Sequence, residues 1–471
     1  MTRFDSALDL AAAIRERRIS PTEALEGYLA QVDRLDPTLN AFALRDDERA
    51  RADAAAATEL VATTPVEDLP PFCGVPMPIK DLNQVEGWPT THGSRAVPER
   101  PETADDLPVA RLRSAGFVFM GKTTTPEFGT ISMTESERLG ATRNPWNPDH
   151  TPGGSSGGAG AAVAAGMAPI AHASDGGGSI RIPASCNGLV GLKPSRNRIT
   201  NRVETMTSAS TSGVVSRAVA DTAALLDILS EFDRAAWNTA PPAAGRYLDQ
   251  VGVDPGRLRI RVTPSNALGV EVAPECVAAV RATAATLSDL GHDVVESEPE
   301  WPDAGQLLNG FLTVWSTIAA PIADLEVDRM EPHNRANWEM AMATTAIGYA
   351  QAQIALQDAS RGFTPQFGRD FDVLVTPTMA VEPPAVGSIW AGMDEDPLAP
   401  LLNATPMGAY TAMFNVTGQP AMSLPMHTAG SGLPVGVQFI AAPWDEVVLL
   451  RLGAQLEQHV AWVDRWPALA G

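Results

Sequence analysis

Thr151-Pro-Gly-Gly-Ser-Ser-Gly-Gly-Ala-Gly160 and Ser174-Asp-Gly-Gly-Gly-Ser-Ile-Arg181 set serine hydroxyls in a backbone almost stripped of side chains. A group that must approach a flat carbonyl closely needs such surroundings, and glycine allows the sharp turns that bring it there. The first stretch runs into Gly157 to Gly166, small side chains throughout, which predicts a tightly packed buried helix. Upstream, Gly74-Val-Pro-Met-Pro-Ile-Lys-Asp81 places one lysine after an apolar run.

Working outward, Ser20-Pro-Thr-Glu23 is a helix start: serine as cap, proline in the first turn, glutamate at the third position. Leu25, Tyr28, Leu29, Val32 and Leu35 then follow one face at helical spacing. Helices are also predicted for Asp46 to Leu60, Ala104 to Ala115, Pro274 to Leu290 and Glu446 to Gln458, with an amphipathic one from Val219 to Leu229 after a serine- and threonine-rich loop. Strands are predicted at Val75 to Leu82, Val118 to Gly121, Leu258 to Val262, His292 to Glu296, Asp372 to Thr376 and Gly436 to Ile440. Trp301 to Leu356 reads as mainly helical, and Pro377 to Asp396 as a proline-rich surface loop. Strands alternating with helices across glycine junctions predict an α/β architecture. Nothing resembles a flexible interdomain linker, so one domain spanning 1–471 is expected, with an embellished middle.

The chain has 471 residues, 44% of them hydrophobic, which is ample for a large core. Its formal charge of −22 disfavours nucleic acid and anionic membrane surfaces as partners. Cys73, Cys186 and Cys276 are odd in number and widely spaced, which argues against a disulfide framework and a structural zinc site. Asp5 and Asp9 interrupt the start, and no apolar stretch follows a basic one, so no secretory leader is expected. The longest weakly apolar stretch, Ala159 to Ala173, holds Pro169 and is too short to span a bilayer. A cytoplasmic protein without metal or other cofactor is expected, monomeric or homodimeric.

Ordinary serine nucleophiles take a histidine base. None of the seven histidines sits in a triad context, and each reads as a surface or satisfied structural residue. Lys80 is the better candidate base. Burial disfavours the charged form of a lysine and pulls its pKa down, and Val75, Pro76, Pro78 and Ile79 supply an apolar approach. Asp81 would oppose that shift if it lay beside the amine, but neighbours on an extended segment point oppositely. A phosphate-binding loop at Gly153 to Gly158 is disfavoured, since no Gly-Lys-Ser/Thr ending follows and prolines stud the segment before it.

In order along the chain come Gly74-Val-Pro-Met-Pro-Ile-Lys-Asp81, Gly121-Lys-Thr-Thr-Thr-Pro-Glu-Phe-Gly129, Asn144-Pro-Trp-Asn-Pro148, Thr151-Pro-Gly-Gly-Ser-Ser-Gly-Gly158, Asp175-Gly-Gly-Gly-Ser-Ile-Arg-Ile-Pro183 and Gly188-Leu-Val-Gly-Leu-Lys-Pro194. Asn415-Val-Thr-Gly-Gln-Pro-Ala421 and Gly432-Leu-Pro-Val-Gly-Val-Gln438 follow near the end. The ordered set resembles the amidase signature family of serine hydrolases, densely over residues 70–200 and sparsely beyond. The resemblance implies a large mixed β-sheet sandwiched between layers of α-helices, with a variable region at about 200–400 shaping the substrate pocket. It puts the family's lysine on Lys80, its bridging serine, held by a cis peptide, on Ser155, and its nucleophile on Ser179. The backbone N–H groups of Gly176, Gly177, Gly178 and Ser179 are then the candidate oxyanion hole, whose individual donors typically contribute about 3–4 kcal/mol. Ser156, Asp175 and Arg181 would support that machinery.

Three departures from the family pattern stand out. Gly176 replaces a usual aliphatic residue, Asn83 follows Lys80-Asp-Leu rather than Lys80-Asp, and Met426-His427 stands where a glycine turn is common. By the same resemblance Met133 and Thr130 should approach the acyl site, and the Met206 to Ser212 loop and the Trp301–Tyr349 region could cover it. The expected substrates are small to medium apolar or aromatic amides, with esters and carbamates (urethanes) sharing the same carbonyl geometry. The alternatives are a glutaminase subunit of an amidotransferase complex and a non-catalytic amide-binding relative.

Overall fold

The computed structural model describes residues 4, 6–203 and 206–471, apart from the side chain of Thr207. Asp5 lies outside them. The helix start at Ser20 forms as the sequence predicts: Ser20 Oγ accepts from Glu23 N, and the Glu23 carboxylate accepts from Ser20 N at 2.9 Å. The resulting helix, Pro21–Leu39, buries Leu25, Tyr28, Leu29, Val32 and Leu35. Other helices open the same way, with Asp46 capping Asp47–Thr63 and Asp445 capping Glu446–Val460.

Two sheets carry the architecture. In the small one, Val118–Thr123 is central, parallel to Pro76–Lys80 and antiparallel to Phe42–Arg45. The large one has eight strands in the order Asp293–Glu296, Arg259–Val262, Val373–Pro377, Pro434–Ile440, Ala421–Thr428, Val190–Lys193, Thr211–Ser216 and Ala171–Asp175. Its first three strands are parallel and the rest antiparallel, so the sheet is mixed. Alternation along the central strands divides its faces. Met422, Leu424, Val437 and Phe439 join the main core with Val219, Leu225, Cys276, Val280, Leu449 and Leu450 from three helices. On the opposite face Gly436 donates its N–H to Ser185 Oγ in the helix Arg181–Asn187 at 2.8 Å. Helices therefore cover both faces, as expected. Among the described residues no helix is long and apolar enough to cross a membrane.

Several local expectations are corrected. The serine- and threonine-rich stretch before Val219 contains the buried strand Thr211–Ser216, because its hydroxyls sit within a sheet that satisfies the backbone. Helix Val219–Leu229 is apolar nearly all round and buried, not amphipathic, and its Asp221 accepts the N–H groups of Ala7 and Leu8 at 2.9 Å each. The proline-rich segment after Pro377 is a surface loop only in part: Gly387, Ser388 and Gly392 are exposed, but Met379, Ala380 and Ile389 are buried, and Pro384 O accepts from Thr151 N at 2.9 Å. The strand Ala171–Asp175 escapes sequence patterning because Ala171 and Ala173 lie against Ala159, Val163 and Ala164 of the helix Gly157–Ala164. Contact that close requires small residues, which removes the β-branched signal. All three cysteines are free and buried.

The same closeness fixes Gly158. A Cβ there would lie 2.5 Å from both Ala41 O and Thr124 N, backbone atoms that cannot step aside. Gly158→Ala is expected to destabilise the fold by about 1–3 kcal/mol, read as a lower urea midpoint with unchanged slope.

Candidate active site

Lys80 ends the strand Pro76–Lys80, every residue of which is buried. Its Nζ lies 2.8 Å from Ser155 Oγ, 3.1 Å from Ser174 Oγ and 3.5 Å from Ser174 O. These neighbours are hydroxyls and a carbonyl, with no carboxylate among them. Burial pulls the Lys80 amine down to about 7, against an opposing pull from the charge of Asp175. Asp81 turns away, as the extended backbone predicts, and its Oδ1 lies 2.7 Å from Lys122 Nζ. His172 corrects the reading of histidines as surface or satisfied residues. It is buried beside Lys80, its Nδ1 accepts the Lys80 backbone N–H at 3.4 Å, and its Nε2 has no partner among the described residues. Burial and the nearby lysines drive its pKa down to about 3, so the ring is neutral.

Ser155 follows a cis peptide after Gly154, at the position the resemblance implies. Its turn is pinned by Thr134, whose hydroxyl donates to Gly153 O at 2.8 Å and accepts from Gly157 N at 3.1 Å. Gly129, at φ 73°, passes directly over Ser155, and a Cβ there would sit 2.9 Å from Ser155 Oγ. Ser156 bridges to the neighbouring strand: its Oγ donates to Ser174 O at 3.2 Å and accepts from Ser174 N at 3.3 Å.

The third segment leaves the edge strand at Asp175. The carboxylate of Asp175 accepts from Gly178 N at 2.7 Å, from Ile180 N at 3.2 Å, and from Arg181 Nε and Nη2 at 2.9 Å each. Arg181 also donates to Thr411 O, Gln438 Oε1 and Asn415 Oδ1, and Asn415 Nδ2 returns a bond to Asp175 Oδ1 at 2.9 Å. Burial would raise the Asp175 carboxyl, but the charge and hydrogen bonds of Arg181, with Asn415, hold it below the usual carboxylate range. One expectation is corrected: the Gly178 amide serves Asp175 and is not free for an incoming oxygen. The amides of Gly176, Gly177 and Ser179 make no hydrogen bond to the described residues. Ser179 is 8% exposed, and its hydroxyl makes no hydrogen bond to them either. The Lys80–Ser155 contact is thus formed, and the Ser155–Ser179 contact is open.

Ser179 opens into a cavity of about 120 Å³. Its wall includes Gly129, Thr130, Ile131, Gly177 and Ile182, with Leu308, Phe311, Leu312, Trp315 and Leu401 from the variable region. Thr130 lines it, its hydroxyl 2.8 Å from Asn334 Oδ1. Met133 lies instead in an adjoining buried cluster with Ile131, Ile182, Cys186 and Met379. A larger cavity, about 630 Å³, includes Phe128, Ser174 and Met206 in its lining. Sequence reasoning missed Ser174, His172, Thr134 and Thr411. Ser174 opens the second glycine-rich stretch but has no role assigned there, and the others carry no local signal.

A family model described as Amidase matches residues 23–450. A 6-aminohexanoate-cyclic-dimer hydrolase from Pseudomonas sp. (strain NK87) is 37% identical, over 99% of this chain and 97% of that protein. An acylamidase from Rhodococcus erythropolis is 33% identical over 98% and 97%. The solved structure of 6-aminohexanoate cyclic dimer hydrolase complexed with substrate superposes with a TM-score of 0.91, at 35% identity over 99% of each chain.

Two substitutions test this geometry. Arg181→Met should strand the Asp175 carboxylate without a charged partner and lower stability by about 3–5 kcal/mol in urea unfolding. Gly129→Ala should leave the protein folded by circular dichroism but lower kcat by about tenfold or more, since both its backbone angle and its Cβ press on Ser155.

Proposed function

The chain belongs to the amidase family and is an amide hydrolase, and on that premise we propose that Ser179 is its nucleophile, Lys80 its base and Ser155 the hydroxyl between them. The observation that carries this reading is the fully buried amine of Lys80 at 2.8 Å from Ser155 Oγ. Neutral Lys80 accepts the Ser155 proton as Ser155 accepts the proton of Ser179, and Ser179 Oγ bonds to the carbonyl carbon. The Ser155–Ser179 contact closes when a bound carbonyl draws the Ser179 hydroxyl round; hydrogen bonds of this kind commonly tighten only with substrate present. The oxyanion is met by the amides of Gly176, Gly177 and Ser179. As the C–N bond breaks, the proton returns through Ser155 to the leaving amine. Water then attacks the acyl-enzyme by the same relay and frees the acid and Ser179. Ser156, Asp175 and Arg181 hold this machinery without touching the reacting atoms.

The proposed substrates are small to medium apolar or aromatic amides. The cavity beside Ser179 is walled by leucine, isoleucine, phenylalanine and tryptophan, and no charged side chain lines it. Such a wall offers no charged partner to the α-carboxylate and α-ammonium of glutamine, which weighs against a glutaminase. Esters and carbamates present the same planar carbonyl and are included in the proposal.

The pH profile carries the clearest signature. Below about pH 7 the folded Lys80 holds its proton and cannot accept another, so log kcat/KM should rise with unit slope toward pH 7 and level off above it. An acid optimum near pH 5 would sink the base assignment. Lys80→Met should cost about 10²–10⁴ in turnover and abolish that slope. A fluorophosphonate should label Ser179, and an adduct mapped to any other residue would refute the nucleophile. A panel of amides, esters and carbamates with varied acyl and amine halves then ranks the substrates.

A further inference from the structure

Gly176 has no side chain, yet its backbone does not demand glycine, for its φ lies outside the left-handed region. What favours glycine is space. A Cβ at this position would lie 3.0 Å from Met206 Cε and 3.3 Å from Trp315 Cζ3, both closer than ordinary contact. One residue on, a Cβ at Gly177 would meet Phe311 Cζ at 3.4 Å and Trp315 Cζ3 at 3.6 Å. The outer edges of two aromatic rings therefore rest on the bare backbone of the turn that carries Ser179. The rings stack on each other, with centroids 5.2 Å apart and planes 28° apart, and both line the cavity that Ser179 enters. Met206 belongs to the same buried cluster as Trp315, its own backbone in the left-handed region at φ 47°.

We infer that Gly176 is a specificity-determining residue: by leaving room for Met206 and Trp315 on the nucleophile turn, it builds a flat aromatic wall that selects a planar acyl group, such as an aryl, over a branched one. Aromatic faces stack best on flat partners in offset or edge-on arrangements. A tetrahedral branched carbon beside the carbonyl would meet the stacked pair with its methyl groups and hold the carbonyl away from Ser179. The inference rests on the reading of Ser179 as nucleophile and of this cavity as the acyl site.

The test compares 4-nitrophenyl benzoate with 4-nitrophenyl pivalate on the full chain and on Trp315→Ala, Gly176→Ala and Gly176→Ala/Met206→Ala. The parent should favour benzoate in kcat/KM by about tenfold or more. Trp315→Ala should bring the two substrates to near parity. Gly176→Ala should lower the benzoate preference, chiefly through KM for benzoate, and adding Met206→Ala should recover part of it by removing the nearer of the two contacts on the new methyl group. No preference in the parent, an unchanged ratio in Trp315→Ala, or a Gly176→Ala defect that Met206→Ala does not relieve would each overturn the inference; the last would make the glycine a matter of turn flexibility instead. Fluorophosphonate labelling of every variant reads the nucleophile separately. Labelling that maps away from Ser179 would fail the underlying reading, whereas a lost ratio with Ser179 labelled fails the wall alone.

Discussion

A carboxylate and a guanidinium, both closed off from solvent, hold the turn on which everything else is arranged. Taking Asp175 and Arg181 out of water is costly, and a bare pair would not offset the cost. Here the pair is bidentate, and its remaining donors and acceptors are filled from two distant stretches, one holding Thr411 and Asn415 and the other Gln438. The same carboxylate gathers the amides of Gly178 and Ile180. The turn between them then has one shape, with the amides of Gly176, Gly177 and Ser179 left facing outward. The C-terminal strand Pro434–Ile440 matters to the site for this reason, although none of its side chains reaches the cavity beside Ser179.

The same interior treats two cations in opposite ways. Arg181 is paired with a carboxylate, whereas Lys80 meets only hydroxyls and a carbonyl and is driven toward neutrality. The difference lies in the neighbours, not in the depth of burial. Asp175 is near enough to pull the lysine back toward its charged form but too heavily engaged with Arg181 to pair with it. Asp81, adjacent in sequence, is neutralised by Lys122 and kept out of the way. The proposed base thus depends on two ion pairs to which it does not belong.

Much of the fold and of the candidate site was legible in the chain. The helix start at Ser20, the apolar approach to Lys80 and the glycine-rich turns each carry a local physical signal, and the ordered motifs add what no single one can. The unread parts share a cause: their signals are long-range. Ala171–Asp175 looks unlike a strand because a helix presses on it and permits only small residues. Thr211–Ser216 looks like a loop because it is rich in hydroxyls, and the backbone pairing with Ala171–Asp175 that makes it a strand is not displayed in the sequence. Gly178 seemed one more free amide donor, and only the fold shows that Asp175 accepts its hydrogen bond. The pocket walls at Phe311 and Trp315 come from helix Ala304–Trp315, whose sequence reads equally well as plain core.

Lys80 belongs to the three-stranded sheet and Ser179 to the eight-stranded one. The two are joined side by side where the backbone amide of Lys80 meets the ring of His172 and its amine meets Ser174. Neither sheet alone contains the machinery; it exists at the seam. Turnover is accordingly a gauge of how firmly that seam is shut, and mild heat or cosolvent that parts it should silence the enzyme while both sheets still keep their strands.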